Sequence, residues 1–160
     1  MKSINAMSQA ELAAYVQSHL RCRGIPSKDI DLVNAQFAGP KKIENAMMEI
    51  GFSRVGRHFE HPETDQIVEF PPGPLAIGNE IVKEVSQIEF NTGVLNVLSP
   101  TDCVKDRLAH FYHWGDRQCF AQAILVAQNH RVDLLEIREW SQREGKLSEF
   151  NIIADHLDAK

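Results

Sequence analysis

The four residues 99–102, Ser-Pro-Thr-Asp, divide this sequence into two parts of different character. Ser is favoured as a helix cap, Pro fits the first helical position and Asp is stabilising in the first turn, so a helix is predicted to begin here. Beyond this point the apolar spacing indicates only helices, at about 101–113, 116–129, 133–144 and 147–157. Before it, strands and helices are mixed. The predicted class is therefore α+β, with an α/β core in residues 1–98 and a C-terminal helical part in residues 99–160 of the same compact unit.

Two helices and several strands are predicted in the first part of the chain. Ser8 and Glu11 have the spacing of a capping box, and apolar residues at helical spacing follow until Gly24. Gly39-Pro40 opens a second predicted helix, which ends at Gly51. Extended segments are predicted at 30–33, at 51–61 and 65–70 as a strand pair, and at 84–90 and 93–99 as a hairpin. The segment 71–80, rich in Pro and Gly, is predicted to form no regular structure.

The bulk properties favour one globular protein with its own core. The chain has 160 residues, of which 43% are hydrophobic and 24% are charged, values ordinary for such proteins. A net charge of −5 argues against a general nucleic-acid binder. The three widely spaced cysteines fit neither a zinc site nor a disulfide framework, which indicates a reducing compartment. Because no apolar run suits a membrane span or a signal peptide, we expect a cytoplasmic protein.

Two aspartates in the strand-like segment DIDLV raise the question of a metal site. Side chains alternate along a strand, so Asp29 and Asp31 are expected on one side and their apolar neighbours on the other. Carboxylates ~6.5–7 Å apart along a strand repel each other unless a cation lies between them. Glu69, in a second predicted strand, would add a third oxygen ligand of the kind that Mg²⁺ prefers. The alternative is a solvated strand face or the guarded edge of a sheet.

The order of these segments resembles the nucleotidyltransferase-fold superfamily. A helix, the stretch SKDIDLV, a second helix, a strand pair and the carboxylate of IVEF follow one another here. The same order is found in small prokaryotic nucleotidyltransferase-like proteins, which include the enzyme half of abortive-infection toxin–antitoxin pairs. The resemblance implies a mixed β-sheet with flanking helices and Mg²⁺ held by Asp29, Asp31 and Glu69. It also implies transfer of a nucleotidyl group from a nucleoside triphosphate to a hydroxyl acceptor.

The resemblance continues into the helical part of the chain. The stretch LSPTDCVKDRLAHFYHWGDRQCFAQA is similar to a family segment that lies near the nucleotide. Its matching positions are Lys105, Arg107, Asp116 and Arg117. Lys28, directly before the aspartates, is a further basic residue that could face a triphosphate. All these basic side chains are also compatible with an ordinary solvated surface.

One part of the family pattern has no counterpart in this sequence. Relatives carry a Gly-Gly or Gly-Ser turn before the aspartates, and its backbone N–H groups hold the triphosphate at a helix N-terminus. Here only four residues separate Gly24 from Asp29. The site would then be completed by Ser8 or by another chain, or the protein would be a catalytically degenerate binding or interaction partner. Because a sheet without that strand exposes an edge, pairing of two edges predicts a homodimer.

A second possible metal site lies on the helix that begins at Ser99. Asp106, His110 and His113 have the spacing of one helix face, and two histidines on a helix can ligate a metal. This pattern would suit a metal-dependent hydrolase. The alternative is a polar helix face without any ligand.

Overall fold

The computed structural model describes residues 2–22, 39–71 and 74–158 of the chain. Both helices and antiparallel strands are present there, so the predicted α+β class is confirmed. The predicted strand at 30–33 lies outside the described residues, as do Lys28, Asp29 and Asp31. None of the helices within the described ranges combines the length and the apolar character that crossing a membrane requires.

The described residues belong to two compact units. One consists of Met1–Leu75 with Val85–Val97, and the other of Ala76–Glu84 with Leu98–Lys160. We call them the first unit and the helical unit.

The first unit begins with a short 3-10 turn and helix α1 (Gln9–Cys22). The predicted capping box is confirmed: the Ser8 N–H donates to Glu11 Oε2 at 2.7 Å, and the Glu11 N–H donates to Ser8 Oγ at 3.3 Å. Helix α2 (Pro40–Glu49) also begins where predicted, with its proline in the first turn, where no N–H donor is needed.

Three antiparallel strands follow α2: β1 (Ser53–Val55), β2 (His58–His61) and β3 (Thr64–Glu69), in the order β1-β2-β3. The predicted turn between β2 and β3 is confirmed, but the prediction of a single strand over 51–61 is wrong. Gly56, with φ of +62°, opens a two-residue turn inside that segment and makes a hairpin of it. Glycine takes a positive φ without strain, so two residues are enough to reverse the chain.

The core of the first unit is built from apolar side chains of α1, α2, the turn that follows α2 and the three-stranded sheet. Its buried members include Leu12, Val16, Leu20, Ile43, Met47, Phe52, Phe59 and Val68. Phe59 and Val68 are opposite each other in the β2–β3 ladder, and Phe70 packs edge-on against Phe59 at a ring-centroid distance of 5.5 Å. This burial fixes which face of β3 is turned away from the core.

The predicted hairpin of the first unit is confirmed as β6 (Ser86–Phe90) and β7 (Gly93–Val97). Helix α1 packs along β7, and Ser18 Oγ accepts the Val94 N–H of β7 at 2.9 Å. In the turn before β7, Thr92 Oγ1 donates to the Glu11 carbonyl of α1 at 2.7 Å. Polar side chains of a helix thus take the place of a neighbouring strand along this edge of β7.

The helical unit contains the four predicted helices, each within one residue of its predicted bounds. They are α3 (Pro100–Trp114), α4 (Arg117–Asn129), α5 (Leu134–Arg143) and α6 (Leu147–Leu157). The Ser99 side chain caps α3 by accepting the Asp102 N–H at 3.0 Å, as predicted. Trp140 and Ile137 of α5 are fully buried in this unit.

The prediction that 71–80 forms no regular structure is wrong at its C-terminal end. β4 (Ala76–Ile77) and β5 (Glu80–Ile81) form a small hairpin around Gly78-Asn79. Contacts with α5 hold it. Trp140 Nε1 donates to the Ile77 carbonyl at 3.4 Å, and the Glu144 carboxylate accepts from the Asn79 N–H at 2.8 Å. A strand pair this short depends on such distant contacts, which the local composition does not reveal.

Candidate functional site

Of the three predicted Mg²⁺ ligands, Glu69 is the one that lies within the described residues. It is the last residue of β3, and its side chain is exposed while that of Val68 is buried, in keeping with the alternation of side chains along a strand. Across the ladder it pairs with His58, whose imidazole instead bonds to Glu60 at 2.8 Å. Within the described part of the chain, the Glu69 carboxylate makes no hydrogen bond and no ion pair. Its oxygens are therefore available to a cation.

Lys105 lies in α3 and its side chain is only 5% exposed. The ammonium group donates to Asp102 Oδ1 at 3.1 Å and to Glu136 Oε1 of α5. Burial by itself lowers the pKa of Lys105, but the hydrogen bonds with Glu136 and Asp102 outweigh it, so the pKa is raised. The buried cation is matched by two carboxylates and joins α3 to α5.

Arg107, one helical turn from Cys103 in α3, has a half-exposed guanidinium. Partial burial lowers its pKa, but a hydrogen bond with the Cys119 thiol and the nearby Asp106 carboxylate raise it above the ordinary value. Asp106 Oδ2 lies 3.7 Å from Arg107 Nε. Arg107 thus links the middle of α3 to the first turn of α4, and part of its guanidinium faces solvent.

Asp116 and Arg117 form the start of α4. Asp116 is its N-cap: Oδ1 accepts the Gln118 N–H at 2.9 Å and the Cys119 N–H at 3.1 Å. Hydrogen bonds from the Cys119 backbone, the Cys119 side chain and the Gln118 backbone lower the pKa of Asp116. A phosphate at this helix end would need the same N–H groups that Asp116 already uses. Arg117 is exposed and, among the described residues, has no hydrogen-bonding or ionic partner.

The structure does not gather Asp106, His110 and His113 into a metal site. His110 packs on the Trp114 ring at a centroid distance of 5.0 Å, whereas His113 lies 3.9 Å from Glu144. In the described ranges, no three His, Cys, Asp or Glu side chains are arranged so that they could hold a metal ion. The alternative, a polar helix face, describes these three residues better.

One polar cluster was missed by sequence reasoning. The Glu144 side chain, 3% exposed at the end of α5, accepts from both the backbone N–H and the side-chain amide of Asn79. Arg143 bonds to Glu80 beside it. The Gly78-Asn79 pair between apolar residues is a hairpin signal that could have placed the turn, but its partner lies 65 residues away in sequence.

Comparisons with known proteins gave no match: no family model, no curated protein and no solved structure is significantly similar to this chain. The resemblance to nucleotidyltransferase-like proteins therefore depends on the order of its short motifs.

Proposed function

We propose that this chain is a nucleotidyltransferase-like protein in which Asp29, Asp31 and Glu69 bind Mg²⁺. The observation that carries the proposal is the exposed Glu69 carboxylate, without a bonding partner among the described residues and anchored by buried Val68. Three carboxylates also suit Mg²⁺ chemically, since it takes oxygen ligands.

The proposed reaction transfers a nucleotidyl group from a nucleoside triphosphate to a hydroxyl acceptor. Bound Mg²⁺ would neutralise phosphate charge and polarise the phosphoryl oxygen. The three carboxylates would fix the position of the cation. Of the basic residues that the resemblance places near the triphosphate, Lys28, Arg107 and Arg117 remain candidates for contact with phosphate oxygens, because Lys105 is already matched by two carboxylates.

A second candidate function is nucleotide or protein binding without catalysis. Two of the four family positions in the helical unit have structural roles: Lys105 lies in a buried ion-pair cluster and Asp116 caps α4. The Gly-Gly or Gly-Ser turn is absent as well. A site that lacks the phosphate cradle positions a triphosphate poorly, and nucleotidyl transfer depends on that positioning.

Isothermal titration of each nucleoside triphosphate, with and without Mg²⁺, tests the metal site. We expect Mg²⁺-dependent binding in the wild type and its loss in Glu69→Gln and in Asp29→Asn/Asp31→Asn. Asp65→Asn is the matched control, because Asp65 is exposed on the same face of β3. Equal loss in the Asp65 variant would show a general charge effect, and no Mg²⁺-dependent binding in the wild type would exclude the metal site.

Once Mg²⁺-dependent binding of a nucleoside triphosphate is found, pyrophosphate release distinguishes nucleotidyl transfer from binding without catalysis. Incubation with each nucleoside triphosphate and a mixture of RNA and protein acceptors should release pyrophosphate that Glu69→Gln fails to release. Mg²⁺-dependent binding without pyrophosphate release would favour the non-catalytic binding protein.

A further inference from the structure

The two tryptophans of this chain both lie in the helical unit, and they differ in burial. Trp140 of α5 is fully buried, whereas 73% of the Trp114 side chain, at the C-terminal end of α3, is exposed. An indole in water gives up apolar burial that could stabilise the fold. A single exposed apolar side chain is common, so its neighbours decide whether it suggests a binding site.

The Trp114 ring is held beside two imidazoles. Its centroid lies 5.0 Å from that of His110, one turn earlier in α3, and 5.9 Å from that of His113. Both histidines are exposed, and their ring planes are inclined to the indole at 44° and 66°. These contacts restrict the rotamers of the indole, while most of its surface stays open to solvent. A flat apolar surface that is positioned in advance binds an aromatic ring at a smaller entropic cost.

Two arginines flank Trp114 along the chain. Arg107 precedes it by seven residues on the same side of α3, about 10 Å along the helix axis, and its side chain is 39% exposed. Arg117 follows Trp114 by three residues, which the backbone spans in at most about 11 Å. Arg117 is exposed and, in the described ranges, makes no hydrogen bond or ion pair. An exposed indole and two guanidinium groups able to contact phosphate oxygens therefore lie in one stretch of the helical unit.

We propose that Trp114 stacks on the base of the bound nucleoside triphosphate, while Arg107 and Arg117 contact its phosphates. The inference rests on the proposed function for the identity of the ligand, and it adds the residue that holds the base. Indole stacks on any nucleobase, since each has a π-face, so all four nucleotides should bind. A free nucleotide suits this surface better than a nucleic-acid strand does, because a strand requires a tract of cations and the chain carries a net charge of −5.

Fluorescence titration in EDTA tests the stacking apart from the metal site. A base that stacks on an exposed indole quenches its emission, and buried Trp140 serves as the internal reference. We expect each nucleoside triphosphate to quench Trp114, and inorganic tripolyphosphate, which lacks a base, to bind more weakly without quenching. By isothermal titration, Trp114→Ala should raise the Kd of each nucleotide about 5- to 100-fold. Ile152→Ala, at a position 77% exposed on α6, is the control and should leave the Kd unchanged.

The outcomes separate this inference from the metal site. Absence of quenching in EDTA, equal binding of tripolyphosphate, or quenching by a single-stranded oligonucleotide alone would overturn the stacking role of Trp114. Mg²⁺-dependent binding that Trp114→Ala keeps at full strength would also overturn it and would leave the proposed function standing. Quenching of Trp114 in EDTA with no gain in affinity from Mg²⁺ would instead support the inference and exclude the metal site. Far-UV circular dichroism confirms that each variant is folded.

Discussion

Gln17 of α1 bonds both backbone groups of Asn96 in β7. Gln17 Oε1 accepts the Asn96 N–H at 2.8 Å and Gln17 Nε2 donates to the Asn96 carbonyl at 3.3 Å, in a side chain that is 1% exposed. One buried amide thus supplies to β7 the donor and the acceptor that a neighbouring strand would supply. The contact joins residues 79 positions apart.

Replacing this amide by an apolar side chain of similar size should be costly. Gln17→Leu leaves two hydrogen bonds unmade in a buried place, and we expect a loss of about 2–3 kcal/mol in the free energy of unfolding. Urea denaturation measures it. Gln87→Ala is the control. Within the described residues, the exposed side chain of Gln87 bonds the Asn96 side chain at 3.0 Å and no backbone group, so its loss should cost less than about 1 kcal/mol. An equal loss of unfolding free energy in the two variants would mean that the buried Gln17 amide stabilises the protein no more than an exposed one does.

Gly93, at the start of β7, should tolerate no side chain. A Cβ there would lie 2.5 Å from the Ala14 carbonyl oxygen and 2.3 Å from Ser18 Oγ, and its φ of +152° disfavours other residues. We expect Gly93→Ala to destabilise the protein by more than about 3 kcal/mol, because backbone atoms of α1 cannot move aside.

Gly56→Ala separates the conformational part of that effect from the steric part. Gly56 also has a positive φ, of +62°, but a Cβ there meets nothing within 4 Å. Its substitution should cost only about 1 kcal/mol. Thermal unfolding of the two variants gives the comparison, and a Gly93 variant no less stable than the Gly56 variant would contradict the close packing of α1 on β7.

Lys105 should behave as a structural residue. Lys105→Met leaves Asp102 and Glu136 without their cation, and because both carboxylates reach water we expect a loss of about 1–2 kcal/mol in stability. Lys146→Met is the control: its pair with Glu149 is more exposed, and it should cost less than about 0.5 kcal/mol. Unchanged stability together with lost triphosphate binding would instead identify Lys105 as a ligand contact.

The start of α1 should weaken in acid. Hydrogen bonds from Lys2 and from the Ser8 N–H lower the pKa of Glu11 from 4.5 to about 2. As the pH falls below 4.5 the unfolded chain takes up a proton at Glu11 before the folded chain does, so stability present above pH 4.5 is lost between about pH 4.5 and pH 2.

Glu11→Gln removes this titration. Urea denaturation at pH 6, 4 and 3 should show a shallower loss of stability in Glu11→Gln than in the wild type, with the two proteins becoming more similar at low pH. Parallel pH profiles would mean that the Glu11 carboxylate is not held by Lys2 and Ser8 in solution.

The helices of both units were predictable because their signals are local. The Ser99 cap, the capping box of Ser8 and Glu11 and the apolar spacing each involve residues within one or two turns, which is the range over which helix hydrogen bonds act. The helices of the helical unit therefore begin and end within one residue of the predicted bounds.

The candidate site was only partly predictable for the same reason. Side chains alternate along a strand, so apolar Val68 and acidic Glu69 are expected on opposite faces, and Glu69 is indeed exposed. This expectation needs only the two neighbouring residues. The structural role of Lys105 was not visible, because Glu136 lies 31 residues away and only the packing of α5 on α3 brings it close.

The sequence by itself determined the α+β class, the helix bounds and the outward direction of Glu69, since each follows from capping, periodicity or alternation between near neighbours. Only the tertiary structure decided that the β4–β5 hairpin exists and that α1 occupies an edge of β7. It also decided that the Lys105 ammonium pairs with two carboxylates inside the helical unit. Those features depend on side chains such as Gln17 and Glu144 that find partners far along the chain, and such pairs form only when packing has brought the elements together.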